Sequence, residues 1–132
     1  MLKFDIGQEV FSIYPQIGNG CIKDLVPVGN DTLYVGTNGS GVKIIKASSG
    51  QEITSIEHSI QEDAICSNAV YSLLKDKNIL YIGTYMGGMS YTPTRGNTFS
   101  IYSFKDKFDS HNLNVRAFWI GKQGRKVIGT RD

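Results

Sequence analysis

Leu33-Tyr34-Val35-Gly36-Thr37, Leu80-Tyr81-Ile82-Gly83-Thr84 and Lys126-Val127-Ile128-Gly129-Thr130 are three versions of one segment. Their Gly-Thr pairs start at positions 36, 83 and 129, a period of 47 and then 46 residues. Other blocks recur around them in the same order. Ile22-Lys23-Asp24-Leu25, Val70-Tyr71-Ser72-Leu73 and Val115-Arg116-Ala117-Phe118 precede them, and Gly41-Val42-Lys43-Ile44 and Gly88-Met89-Ser90-Tyr91 follow the first two. A fourth block, Gly50-Gln51-Glu52-Ile53-Thr54-Ser55-Ile56, matches Gly96-Asn97-Thr98-Phe99-Ser100-Ile101 and also Gly7-Gln8-Glu9-Val10-Phe11-Ser12-Ile13. Four unrelated blocks in a constant order define a repeat array.

Each block is short, rich in β-branched and aromatic residues, and bounded by Gly, Asn, Asp or Ser, which predicts a strand between tight turns. Leu80 and Ile82 alternate with Tyr81 in the period of a pleated strand. No segment carries a sustained helical period. Four antiparallel strands, lettered A to D, per repeat of this length predict an all-β chain, a β-propeller-type array of four-stranded antiparallel blades. Residues 22–56 and 70–102 form full blades on this reading. Residues 2–14 supply strands C and D of a split blade, and 115–132 supply strands A and B of another. The chain therefore holds about three blade equivalents, a partial propeller.

A propeller closes with at least four blades, so the predicted arc leaves sheet edges and flat apolar faces uncovered. Burying one face of about 500 Å² is worth roughly 12 kcal/mol, as much as the net stability of a whole domain. The expectation is self-association through the split blades, or completion by the rest of a longer propeller.

Composition narrows the function classes. Of 132 residues, 14 are Lys or Arg and 12 are Asp or Glu, and 40% are hydrophobic, so the chain is globular in composition. The net charge of +2 comes from scattered side chains and does not suggest a nucleic-acid surface. No apolar run reaches the roughly 18 residues of a membrane helix, and the first residues do not read as a signal peptide.

Catalytic patterns are wanting. Gly36-Thr37-Asn38-Gly39-Ser40-Gly41 lacks the Lys-Ser/Thr ending of a phosphate loop and reads as a hairpin turn. His58 and His111 stand in polar loops without a second ligand at a metal spacing. Glu62, Asp63, Asp106 and Asp109 lie in charge-mixed loops that read as solvated surface rather than a glycosidase pair. Cys21 and Cys66 stand at unequal distances from their strands and read as two free thiols. Trp119 reads as core or interblade packing. No metal or cofactor is implied.

Val70-x-x-Leu73-x-x-Asp76, Leu80-Tyr81-Ile82-Gly83-Thr84-x-x-Gly87-Gly88-Met89 and Phe99-x-x-Tyr102 together resemble the two-component-regulator propeller repeat. That family usually has Trp where Tyr34 and Tyr81 stand. The resemblance covers nearly the whole chain. It implies the periplasmic sensor region of a hybrid two-component histidine kinase of the Bacteroidetes type, a non-catalytic part of a protein that senses oligosaccharides. A propeller scaffold for protein–protein interaction is the alternative, and a propeller hydrolase is disfavoured by the missing carboxylate pair.

In such a meander the B–C turns and D–A loops emerge on one face. There the repeat keeps its scaffold and varies its loop residues, which makes them candidates for ligand contact. They are Asn38, Tyr85 and Arg131 in the B–C turns and Asn68, His111 and Asn112 in the D–A loops, with Asn114 beside them. Tyr85 is expected to stack on a sugar ring while Arg131 and the Asn amides bond its hydroxyls.

Overall fold

A computed structural model describes residues 1–14, 17, 20–61, 63–93, 98–102 and 114–131. Its strands are β1 (Leu2–Asp5), β2 (Val10–Ile13), β3 (Cys21–Val28), β4 (Thr32–Asn38), β5 (Val42–Lys46) and β6 (Glu52–Ile56). They continue with β7 (Val70–Asp76), β8 (Ile79–Thr84), β9 (Met89–Pro93), β10 (Ser100–Tyr102), β11 (Asn114–Ile120) and β12 (Lys126–Arg131). One 3-10 turn, Lys122–Gly124, joins the last two strands.

Among the described strands, pairing is antiparallel between neighbours in sequence. β3-β4-β5-β6 and β7-β8-β9-β10 are four-stranded sheets, and β1-β2 and β11-β12 are two-stranded. The chain is all-β. No helix among the described residues is long and apolar enough to cross a membrane.

The sheets pack face to face, which explains why the inner strands are apolar on both sides. Val35 and Ile45 meet Tyr14 and Ile17 on one face of the β3–β6 sheet, with Met1 and Ile22 at the margin. On its other face Tyr34 and Val42 meet Val70, Leu73, Leu80 and Ile82. The alternation expected in β8 appears as buried Leu80 and Ile82 facing this core while Tyr81 turns towards Phe118 of β11. Ion pairing joins the last two sheets, Lys126 Nζ lying 3.2 Å from Asp76 Oδ2.

Packing also explains the repeated Gly-Thr. A Cβ on Gly36 would stand 3.0 Å from Val70 Cγ1, and one on Gly83 would stand 2.5 Å from Val115 Cγ1. Glycine therefore lets the first strand of the next sheet approach the second strand of the one before. The threonine turns inward instead. Thr37 Oγ1 donates to Gly41 O at 2.9 Å and Thr84 Oγ1 to Gly88 O at 3.0 Å, closing the two equivalent hairpins. Gly41 and Gly88 both have positive φ, +66° and +84°, as these turns require.

Trp119 is 59% exposed on the side of β11 opposite Val115, against Gly121 and on the outer face of the last described sheet. His58 stands in an exposed loop as read from the sequence, its Nδ1 2.7 Å from Ile65 O and its backbone N–H donating to Asn68 Oδ1 at 2.6 Å. Cys21 and Cys66 are free thiols, as read from the sequence. Cys21 is exposed, and Cys66 Sγ sits 3.2 Å from Thr84 Oγ1 and 3.1 Å from Ser90 Oγ.

Candidate functional site

The first strand of each repeat carries the same irregularity. The register jumps between Ile22 and Asp24 in β3, between Val70 and Ser72 in β7, and between Val115 and Ala117 in β11. Each is a bulge that leaves one residue without a cross-strand partner: Lys23, Tyr71 and Arg116. The residue after the bulge is freed to reach the next sheet. Asp24 Oδ2 accepts the Leu73 N–H at 2.7 Å, and Ser72 Oγ donates to Val115 O at 3.3 Å.

The three bulge residues come together. Arg116 Cζ lies 4.1 Å and Lys23 Nζ 5.0 Å from the centroid of the Tyr71 ring. Tyr85 stacks on the same ring, centroids 5.6 Å apart and planes inclined by 26°. Such cation–π contacts hold a guanidinium and an ammonium in place without consuming their N–H donors. Neither Lys23 nor Arg116 has a carboxylate partner among the described residues. Tyr85 is 41% exposed, so its ring faces solvent beside a tyrosine that carries the two cations. The sequence analysis named Tyr85 but passed over Lys23, Tyr71 and Arg116. Their sign was available: three dissimilar residues at one position of an otherwise regular repeat.

Of the loops expected to share a face, the one carrying Asn68 lies against the turns that follow β4 and β8. Asn68 O accepts the N–H groups of Gly39 and Gly41, both at 2.9 Å, Ala69 O accepts the Tyr85 N–H at 2.8 Å, and Asn38 bridges Ala69. Asn38 and Arg131 end the strands equivalent to the one that Tyr85 follows, and both are exposed. Asn68 is committed in part, since its side-chain oxygen and carbonyl hold the loop. Asn114 is buried and its Oδ1 accepts the Met86 N–H at 2.8 Å, which makes it a turn staple. His111 and Asn112 lie outside the described residues.

The remaining electrostatics are structural. Lys43 Nζ bonds Glu57 Oε1 at 3.1 Å and Glu52 Oε1 at 3.4 Å. Burial alone would lower the Lys43 pKa, but these carboxylates outweigh it and raise it. Glu57 in turn is held below the usual carboxylate range, first by Lys43 and then by the Ser55 hydroxyl. The Asp31 carboxyl is lowered by the Ser48 hydroxyl and N–H, and the Lys126 ammonium is raised by Asp76 and the Tyr81 hydroxyl. Among the described residues no three His, Cys, Asp or Glu gather as a metal site.

No protein-family model matches the sequence, and no curated protein does. Among solved structures, the extracellular domain assigned to a hybrid two-component system of B. thetaiotaomicron superposes with a TM-score of 0.68 at 28% identity. The chain resembles part of an extracellular two-component sensor domain. The match covers 86% of this chain and spans 14% of the other. The bulge residues and their neighbouring loops thus belong to a region that resembles part of a much longer extracellular domain.

Proposed function

We propose that this chain is an arc of a β-propeller in the periplasmic sensing region of a hybrid two-component system, where it binds oligosaccharide without catalysis. The observation that carries this reading is the exposed Tyr85 ring stacked on Tyr71, the ring that Lys23 and Arg116 lie over. An aromatic face takes the apolar side of a pyranose, and unpaired cations beside it bond carboxylate or sulfate substituents. Glycans carrying acidic groups are therefore the preferred class. Arg131, Asn38 and the amide of Asn68 extend the surface. Because the cluster draws on three successive sheets, a ligand spanning it favours one relative arrangement of those sheets over others. That differential affinity is what a kinase elsewhere in the protein could read.

The outer side of β1-β2 supports a second role, as a scaffold completed by another sheet. Leu2 and Ile13, and Phe4 and Phe11, form cross-strand pairs with all four side chains exposed. More of the same protein or a second copy would bury them, and light scattering of the chain alone separates the two.

The sugar reading is tested by isothermal titration with acidic and neutral oligosaccharides at low and high salt. Acidic glycans should bind, weaken as salt rises, and lose at least about tenfold in affinity with Tyr85→Ala or Arg116→Gln. Capture of a protein partner with no glycan binding would favour the scaffold.

A further inference from the structure

The turns after β4 and β8 close in the same way. Thr37 N–H donates to Gly41 O and Thr84 N–H to Gly88 O, both at 3.0 Å, so Gly39 and Met86 stand at one position of the same turn. Both have positive φ, +115° at Gly39 and +60° at Met86. A Cβ disfavours the left-handed conformation by crowding the following carbonyl oxygen, and glycine escapes that cost. Closing the turn does not call for a side chain here, since the same bonds form around Gly39 without one. The other non-glycine residues with positive φ, Glu9, Lys77 and Gln123, are polar, and Met86 is the one apolar case among the described residues.

Burial does not account for the methionine either, since it is 49% exposed beside the exposed Tyr85. The backbone under the pair is fixed at each step. Tyr85 N–H donates to Ala69 O, and Met86 N–H to Oδ1 of buried Asn114, both at 2.8 Å. Asn114 begins β11 and Arg116 stands two residues on, so one strand anchors Met86 and supplies a cation over Tyr71. An apolar side chain is thus held out, against the preference of its backbone, next to the ring that stacks on Tyr71.

We infer that Met86 is a ligand-contact residue that sets specificity at the Tyr85 face by taking an apolar substituent of the glycan, such as the methyl of an acetyl group. This rests on the reading of that face as a site for acidic glycans. A thioether is flexible and polarizable, so it fits a methyl group that the rigid ring beside it leaves uncovered. The acidic group goes to Arg116 and Lys23, the sugar face to Tyr85 and the substituent to Met86.

The test uses the 132-residue chain with 13C-labelled methionine methyl groups, titrated with a galacturonic acid tetramer and with the same tetramer O-acetylated. The two probes carry equal charge and differ only in their acetyl groups. The Met86 methyl signal, assigned by its loss in Met86→Leu, should shift saturably with the acetylated probe. That probe should bind about fourfold tighter than the plain one, the worth of one buried methyl group. Met86→Asn accepts the same left-handed backbone and should bring both probes to one affinity, while Met86→Leu should keep the preference. Met86→Gly should lose the preference too, yet melt at the parent temperature or up to about 5 °C above it, as relief of the strained φ offsets the greater chain entropy of glycine. Loss of the preference in Met86→Gly with Met86→Asn unchanged would assign the effect to backbone flexibility and overturn the inference. Equal affinity for the two probes, or binding without a shift of the Met86 methyl, would overturn it and leave the acidic-glycan reading of Tyr85 and Arg116 intact. Binding of neither probe would remove that reading and the inference with it.

Discussion

Replacing glycine by alanine in the three Gly-Thr pairs should have three different effects, although the sequence presents them as equivalents. None of Gly36, Gly83 and Gly129 has positive φ, so the backbone itself accepts alanine. In a strand that exchange gains about 0.5–1 kcal/mol. At Gly129 nothing opposes the gain, because the nearest atom to a new methyl is Ala117 Cβ at 3.5 Å, ordinary contact. At Gly36 the methyl meets Val70 Cγ1 at 3.0 Å and Leu73 at 3.4 Å, so the gain is roughly cancelled. At Gly83 it enters Val115 at 2.5 Å and the Ser72 hydroxyl. Overpacking of that kind costs about 1–3 kcal/mol, and displacing Ser72 from Val115 O costs about 1 kcal/mol more. The net for Gly83→Ala is a loss of about 2 kcal/mol, or roughly 6–12 °C in melting temperature for a chain of this size. Circular dichroism melts and urea titrations of the three variants measure the order directly. Gly83→Ala melting with the parent chain, or Gly129→Ala as damaging as Gly83→Ala, would refute the claim that sheet-to-sheet approach requires this glycine.

Further expectations rest on single contacts. Thr84→Val keeps the shape but removes the bond to Gly88 O and the neighbour of Cys66, and should cost about 1–2 kcal/mol in urea unfolding. Glu57 is held below its ordinary pKa, so it contributes stability above about pH 4.3 that fades as pH falls through the lower folded value. Its partial exposure limits this to about 0.5 kcal/mol. Unfolding free energies of Glu57→Gln should accordingly decline less than those of the parent below about pH 4. Iodoacetamide should modify exposed Cys21 on the order of tenfold faster than Cys66, as read by mass spectrometry, and protection of both thiols would contradict the free state of the pair.

Local chemistry made much of the fold legible. Turn glycines and threonines repeat because each hairpin closes on its own threonine hydroxyl, and such contacts span only four residues. Tyr85, Asn38 and Arg131 were found as variable positions in a constant frame. Lys23, Tyr71 and Arg116 were not, because strand alternation assigns each a cross-strand partner and only the observed register removes it.

Periodicity in the residues alone determined that the chain is an all-β array of antiparallel hairpins, because strand alternation and turn conformation are properties of a few adjacent residues. Only the tertiary structure decided which equivalent positions remain equivalent. Gly83 is met tightly by Val115 and the Ser72 hydroxyl and Gly36 less tightly by Val70; Lys126 lies over the Tyr81 ring, while Leu80, the residue aligned with it, is buried in one cluster with Tyr34. The physical reason is that burial and hydrogen bonding across sheets join residues from different repeats, and no single repeat contains both partners.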